Sequence, residues 1–475
     1  MAKERFEFCE FEAEELLFDR EYCGVPYWEM LRFIAYHGTF DCRIETNDLI
    51  RARRLAGSAH KKSCRTLLLA IKSAWNFHKM PVCDIICFTH TTKQNPKAIF
   101  YEGWQMPANV HAIYMKEEVD ADRIPWEDKY NLIAPHCKAL IQYNICKILG
   151  RMPKDPKESE FLKELEDKMR SRFGKSLPAA RLEKEIQRWL FESKAFEQYA
   201  ERLLKKTRCR AISVVCYYQA HMWAIYRVAK KLGIKIVEFQ HGMIHYHHEY
   251  WFEDRRGKNN DVPDYMLTFG DAHAEWAKLL PSTKVVPVGS PDKEKRLSKL
   301  KKIAPNSKTV VVYPEQDEQF EKVLNEFADL ATQHGYQVVF KLHPLNAKNI
   351  SSFFPLLAQN ENAHLVSEPA DVYFWLQSAV HHVFSRSTVG LEAICFAHTR
   401  IYVPQFVLEK GVQFQQLQPL LDNHLAQMFN SAEQLLTLIE SPRVISEQER
   451  EHFAEAVWKT NARQNVEHFF EELLT

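Results

Sequence analysis

Short runs of apolar, mostly β-branched or aromatic residues alternate along this chain with longer stretches whose apolar positions recur every three or four residues. VCDIICFTH (82–90) is the first clear run. AISVVCYY (211–218) leads into QAHMWAIYRVAKKLGI, periodic at three and four, and then into KIVEF (235–239). Strand, helix and strand in that order predict a βαβ unit with parallel strands and a right-handed crossover. DYMLTFG (264–270) and KVVPVG (284–289) continue it. A second series begins at KTVVVYPE (308–315) and passes through DEQFEKVLNEFADLATQHG to YQVVFKLHP (336–344). It resumes with HHVFSRST (381–388), a helix over VGLEAICFA (389–397) and the strand RIYVP (400–404).

Two such series predict an α/β fold of two Rossmann-like domains facing across a cleft. The charged, loop-like SPDKEKRLSKLKKIAPNSK marks the seam. Residues 1–285 then form an N-terminal, acceptor-side domain with an extra helical region at its start, and 286–475 a C-terminal domain. The pattern beyond 431 is helical and leaves open a return across the seam. Residues 155–206, dense in Glu/Lys pairs, read as two exposed helices.

Composition narrows the class. Of 475 residues, 46% are apolar and 26% charged, with a net charge of +1, so nothing global points to nucleic acid. The acidic, aromatic start lacks the basic lead of a signal peptide, and no apolar run approaches the roughly 20 residues of a membrane span. The eleven cysteines form no CxxC pair, which fits free thiols in a reducing, cytoplasmic setting. One stretch departs from the balance: residues 51–79 carry eight Lys/Arg, no acid and a Leu/Ile/Trp component at rough helical spacing. Such a segment either lies on the inner face of an anionic membrane or packs on the body with a solvated basic face.

Ligands of open α/β sheets bind beyond the carboxyl ends of the strands, and four polar clusters sit there. In FKLHPLN, His343 and Pro344 follow a strand directly, with Lys341 two residues back on the same face; a chance surface turn is the alternative. In FSRSTVGLEA, Ser385, Ser387 and Thr388 end a strand and Gly390 lies in the opening turn of a helix whose N–H groups suit an anion. Glu392 is placed to accept from ribose hydroxyls; an ordinary capping box would use the same residues. In EFQHGMIHYHH, Glu238, Gln240 and His241 end a strand. The spacing of His245, His247 and His248 is not that of a metal site. His241 is the candidate general base, Glu238 the second, and a structural or acceptor-binding histidine the competitor. In FTHTTKQN, His90 and Thr91 are candidate acceptor contacts, as are Gln240 and His245.

FKLHP followed about forty residues later by FSRSTVGLEA resembles the HP and Ser/Thr motifs of inverting bacterial glycosyltransferases of the GT-B fold. That group holds sialyltransferases, Kdo transferases of capsule assembly and related teichoic-acid glycerophosphotransferases. EFQHG resembles a segment of its surface-polysaccharide transferases. The resemblance spans roughly 210–405; residues 1–200 match nothing in the group. It implies a nucleotide-sugar donor, a CMP-sugar foremost, with its phosphate on His343, Ser387 and Thr388 supporting phosphate or ribose, and Glu392 at the nucleotide's sugar. It also implies a glycan or lipid-linked acceptor in surface polysaccharide synthesis, no metal and no cofactor. Two departures stand out: no clean copy of the acidic DDG or EDG motif of the sialyltransferases, and Arg386 where glycerophosphotransferases usually carry Asp. A nucleotide-sugar epimerase and a CDP-glycerol-type glycerophosphotransferase are the alternatives on the same fold.

Overall fold

The computed structural model describes residues 2–40, 63–89, 106–116, 124, 129–215, 220–240, 242, 244, 261–276, 282–301, 303–342, 350–366, 372–385, 387–409 and 417–475. After a two-stranded antiparallel pair, β1 (Glu21–Tyr22) and β2 (Val25–Pro26), the chain builds two six-stranded parallel sheets. The first contains β3 (Ile85–Thr89), β4 (Ala112–Lys116), β5 (Ala211–Val214), β6 (Lys235–Phe239), β7 (Tyr265–Thr268) and β8 (Lys284–Pro287), in the order β4-β3-β5-β6-β7-β8. The second contains β9 (Asn306–Tyr313), β10 (Gln337–Lys341), β11 (Ala363–Val366), β12 (Ala379–Phe384), β13 (Arg400–Pro404) and β14 (Ala426–Phe429), in the order β11-β10-β9-β12-β13-β14. The α/β class with two Rossmann-like halves is therefore the observed one.

Parallel strands covered on both faces read as continuous apolar runs, and Val310, Val311 and Val312 of β9 are all fully buried. One face of the second sheet packs Val310, Val312, Val338 and Phe340 against Phe320, Leu324 and Phe327 of the helix Glu318–Gln333. That helix starts where Asp317 accepts from the Phe320 amide at 2.9 Å, a side-chain cap on an otherwise orphaned donor. The other face packs Val311, Tyr313, Phe384, Ile401 and Val403.

Three strands fall where the sequence marks none: β4, β11 and β14. Each is an edge strand with residues open to solvent, so no apolar run announces it. The charged stretch 155–206 does form two helices, Pro156–Phe173 and Ala179–Thr207, but the second is not simply exposed. Its Glu/Lys pairs occupy one face, while Leu182, Ile186, Trp189, Phe196, Tyr199 and Leu203 enter the largest core of the N-terminal half. The helix Pro156–Phe173 is capped by Asp155 and anchors the N-terminal segment. Glu158 takes two bonds from Arg20, at 3.0 and 2.7 Å, and one from the Tyr27 hydroxyl.

Between the sheets, β8 ends at Pro287 and the helix Pro291–Ser298 intervenes before β9. The last helix, Ala462–Leu474, lies on the first sheet, where Val466, Phe469, Phe470 and Leu474 share a core with Ile85, Ala211, Val237 and Leu267. Its approach passes so close to β7 that a Cβ on Gly270 would stand 2.3 Å from the Ala456 carbonyl oxygen. Only glycine fits there.

Candidate functional site

In the second sheet the chain winds outward from β9 in both directions, so the gap beside β9 is the topological switch point. β10 and β12 flank β9, all three parallel, with Tyr313 level with Phe384. Val312 pairs with Phe340, which brings Lys341 level with Tyr313. The strands that lead toward the two motifs, β10 through Lys341 and β12 through Phe384, thus finish at the same carboxyl end of the sheet, two strand spacings or about 10 Å apart.

His343, Pro344 and Arg386 lie outside the described residues. Lys341 is buried at the end of β10, where its Nζ lies 3.4 Å from the Leu342 carbonyl and burial lowers its pKa. Ser385 follows β12 with its side chain buried, and among the described residues its hydroxyl has no hydrogen-bond partner. A buried hydroxyl left unpaired costs stability unless a ligand supplies the partner. Ser387 Oγ accepts from the Val389 amide at 3.3 Å, whereas Thr388 makes no side-chain cap. The helix expected over 389–397 is shorter, Val389–Ala393. Bonds of the i→i−3 type from Cys395 and Phe396 tighten the chain, and the Thr399 hydroxyl donates to the Ala393 carbonyl at 2.8 Å. The helix-dipole contribution at Gly390 is correspondingly small. Gly390 itself packs under Leu417.

Glu392 does not close a capping box. Its carboxylate accepts from the Tyr373 hydroxyl, and burial, reinforced by that charge, raises the Tyr373 pKa far above its ordinary value. Burial and then Glu392 do the same to Tyr313, whose hydroxyl has no partner among the described residues. Lys293, buried on the helix of the seam, completes the cluster. Its Nζ donates to Cys395 Sγ at 2.8 Å and stands 4.0 Å from the centre of the Trp458 ring. Burial lowers its pKa while Cys395 and Glu392 pull it back up. Trp458 donates to the Leu391 carbonyl at 3.1 Å and stacks on Phe269 at 5.1 Å, so one ring joins the short helix that follows β12 to the residue that follows β7. Sequence reasoning missed Lys293, Tyr313, Tyr373 and Trp458. A lysine within a charged linker and a tryptophan within a C-terminal helical pattern carry no local signal.

In the N-terminal half, Glu238 is buried inside β6 between Val214 and Met266, not beyond the strand end. Gln240 is a clamp. Its Oε1 accepts from the Phe269 amide at 2.7 Å, and its Nε2 donates to the Gly242 carbonyl at 2.8 Å and meets His273 Nδ1 at 3.0 Å. That fully buried amide is committed to tying β6 to β7, so an acceptor contact would require breaking these bonds. Burial pushes the His273 pKa down to about 3. His241, His245, His90 and Thr91 lie outside the described residues. Thr89, directly before His90, lines a cavity of about 350 Å³ at the edge of the first sheet with His111, Tyr114, Lys116, Lys129 and Tyr130. The Lys116 ammonium is buried there, and among the described residues no acceptor bonds it. Unpaired buried charge is costly, which makes this cavity a place for an anion.

Among the described residues no three His, Cys, Asp or Glu side chains gather as a metal-ligand set. No family model matches the chain, and no curated protein matches it. Weak likenesses exist among solved structures. UDP-GlcNAc 2-epimerase from Neisseria meningitidis, bound to UDP-GlcNAc, is 11% identical, covers 82% of this chain and 99% of its own, and has a TM-score of 0.42. The glycotransferase of kitacinnamycin is 9% identical over 83% of this chain and 100% of its own, at 0.46. UGT89C1 of Arabidopsis thaliana, complexed with quercetin, is 12% identical over 82% and 99%, at 0.45. Likenesses this weak decide nothing about chemistry, which rests on the residues themselves.

Proposed function

We propose that this chain is an inverting glycosyltransferase that moves a sugar from a nucleotide donor to a hydroxyl of a glycan or lipid-linked acceptor. The observation that supports the reading is that β10, ending at Lys341, and β12, ending at Phe384 just before Ser385, flank β9 at the switch point, about 10 Å apart. His343 and Lys341 on one side, and Ser385, Ser387 and Thr388 on the other, hold the donor phosphate; Pro344 and Gly390 shape the two turns. Glu392 reaches the nucleotide's sugar, with Tyr373 fixing its carboxylate. The motif resemblance favours a cytidine nucleotide and a role in bacterial surface polysaccharide synthesis.

The acceptor lies at the ends of the first sheet, near His90, Thr91 and His245, with an anionic group of its own on Lys116. His241, directly after the Gln240 clamp, takes the hydroxyl proton as the oxygen attacks the anomeric carbon; Glu238 is the second candidate for that role. The bond from the anomeric carbon to phosphate breaks, the nucleotide leaves with the electron pair, and the anomeric centre inverts. Charge grows on the departing phosphate in the transition state, so each preorganised donor there is worth about 3 to 4 kcal/mol of barrier.

The test is incubation with CMP-, UDP- and GDP-sugars and CDP-glycerol, with and without glycan acceptors. Acceptor-dependent release of nucleotide with a new glycosidic bond is the expected result. Sugar isomers formed without acceptor would make the chain an epimerase, and glycerophosphate transfer a glycerophosphotransferase. No interaction with any nucleotide would end the reading.

A further inference from the structure

Seventeen large apolar side chains are exposed among the described residues; seven of them lie on just two helices and an eighth directly follows the second. On Ser63–His78 they are Leu67, Leu68, Ile71 and Trp75, the last 64% exposed. On Ile133–Ile148 and the residue after it they are Ile141, Ile145, Ile148 and Leu149, with Ile148 83% exposed. The spacing of 67, 71, 75 and of 141, 145, 148 puts each set on one face. On the first helix this inverts the usual amphipathic arrangement. Ser73 is buried and donates to the Asn131 carbonyl at 3.0 Å, while the leucines and Trp75 face out.

The two helices run antiparallel in contact. Asn76 bonds the Lys129 carbonyl, Ser73 that of Asn131, and Leu69 and Ala70 share a small core with Ile133 and Cys137. The two exposed apolar sets therefore sit on neighbouring helices, and clustered exposed apolar side chains of this kind mark interaction surfaces. The two helices themselves carry charge of one sign. Among the described residues, 63–79 hold Arg65, Lys72 and Lys79 and 129–154 hold five Lys/Arg, and neither stretch contains an acid.

We infer that these two helices form a docking face for an anionic lipid bilayer, the apolar stripe entering the headgroup boundary and the lysines and arginines engaging lipid phosphates. The helix Ser63–His78 supplies only half of the face; the isoleucine helix supplies the rest. A second copy of this chain is the poorer occupant, because two such rims would meet with like charge. The inference stands on this surface and not on the transferase reading.

Co-flotation of the full chain with phosphatidylcholine vesicles, with and without phosphatidylglycerol, tests it. Binding is expected to need the anionic lipid and to weaken as salt rises. The double variant Leu68→Asp/Ile145→Asp should lose at least tenfold in vesicle affinity, and Lys72→Glu/Lys147→Glu should lose a similar factor. All four positions face outward or sit at the rim, so circular dichroism, melting temperature and nucleotide affinity should stay at wild-type values. Equal binding to both vesicle types, or wild-type affinity in the folded variants, overturns the inference. So does a concentration-dependent dimer that the aspartate pair abolishes while vesicles are ignored.

Discussion

Replacing Gly270 by alanine probes the joint between the halves. The added Cβ would stand 2.3 Å from the Ala456 carbonyl oxygen and 2.5 Å from the carbonyl carbon and oxygen of Val457. Comfortable contacts of that kind begin near 3.5 Å, so the returning segment must retreat by about 1 Å. Backbone cannot rotate aside as a side chain would. The Lys459 amide bond to the Phe269 carbonyl, 2.8 Å, and the stacking of Trp458 on Phe269 lie on the same few residues and would be strained with it. Overpacking costs about 1 to 3 kcal/mol, and the upper end applies where both partners are main chain. Loss of glycine's freedom in the unfolded chain returns about 0.4 to 1 kcal/mol. The net expectation is about 2 kcal/mol of destabilisation, which lowers the urea midpoint by roughly 0.5 M given the steep denaturant slope of a chain this large. Hydrogen exchange in Ala462–Leu474 should quicken in parallel. Gly242→Ala is the control, since nothing lies within 4 Å of a Cβ there and its φ is not positive. A Gly270→Ala midpoint equal to that control, with unchanged exchange, would refute the reasoning.

Three further expectations follow from buried polar groups. His382 and His273 are held neutral by burial, with pKa pushed down from 6.5 to about 3, and His381 to about 4. The unfolded chain takes up protons below pH 6.5 that the fold refuses, so these groups withdraw stability as pH falls from 6.5 toward 4. Each adds a slope of up to about 1.4 kcal/mol per pH unit, and His382→Gln should flatten the urea-derived stability profile between pH 6 and 5 by about 1. Lys116→Met should leave stability unchanged or raise it by about 1 kcal/mol, since it removes an unpaired buried charge, while the Michaelis constant for acceptor rises tenfold or more; an unchanged constant would take the acceptor's anion off Lys116. Glu158→Gln should cost about 2 to 3 kcal/mol, because it leaves Arg20 half-buried beside a neutral amide, with nucleotide affinity untouched in a calorimetric titration.

The central strands were legible because burial on both faces leaves an unmistakable mark: TVVVY, IVEF and VVFK contain little else than core residues. Ala112–Lys116, Ala363–Val366 and Ala426–Phe429 were not, since an edge strand shows one side to solvent and Tyr114 or Met428 breaks the run. The second of the charged helices misled for the opposite reason. Its surface pairs are conspicuous in sequence, while Trp189 and Phe196 on the inward face are diluted among them. At the candidate site the sequence locates residues at strand ends, where local order in the chain is enough. Residues brought in by tertiary structure escape it. Lys293 reaches Cys395 across 102 positions and Trp458 reaches Leu391 across 67. The exposed isoleucines of 141–148 escaped because helical periodicity says that a face is apolar without saying whether the protein covers it.

Calorimetric titration of the wild type, His343→Ala and His241→Ala with cytidine and uridine nucleotides bears most directly on a phosphate held between β10 and β12. Affinity at least tenfold weaker in His343→Ala, with His241→Ala binding as the wild type does and losing only turnover, is the predicted pattern. Equal affinity in all three proteins would contradict it.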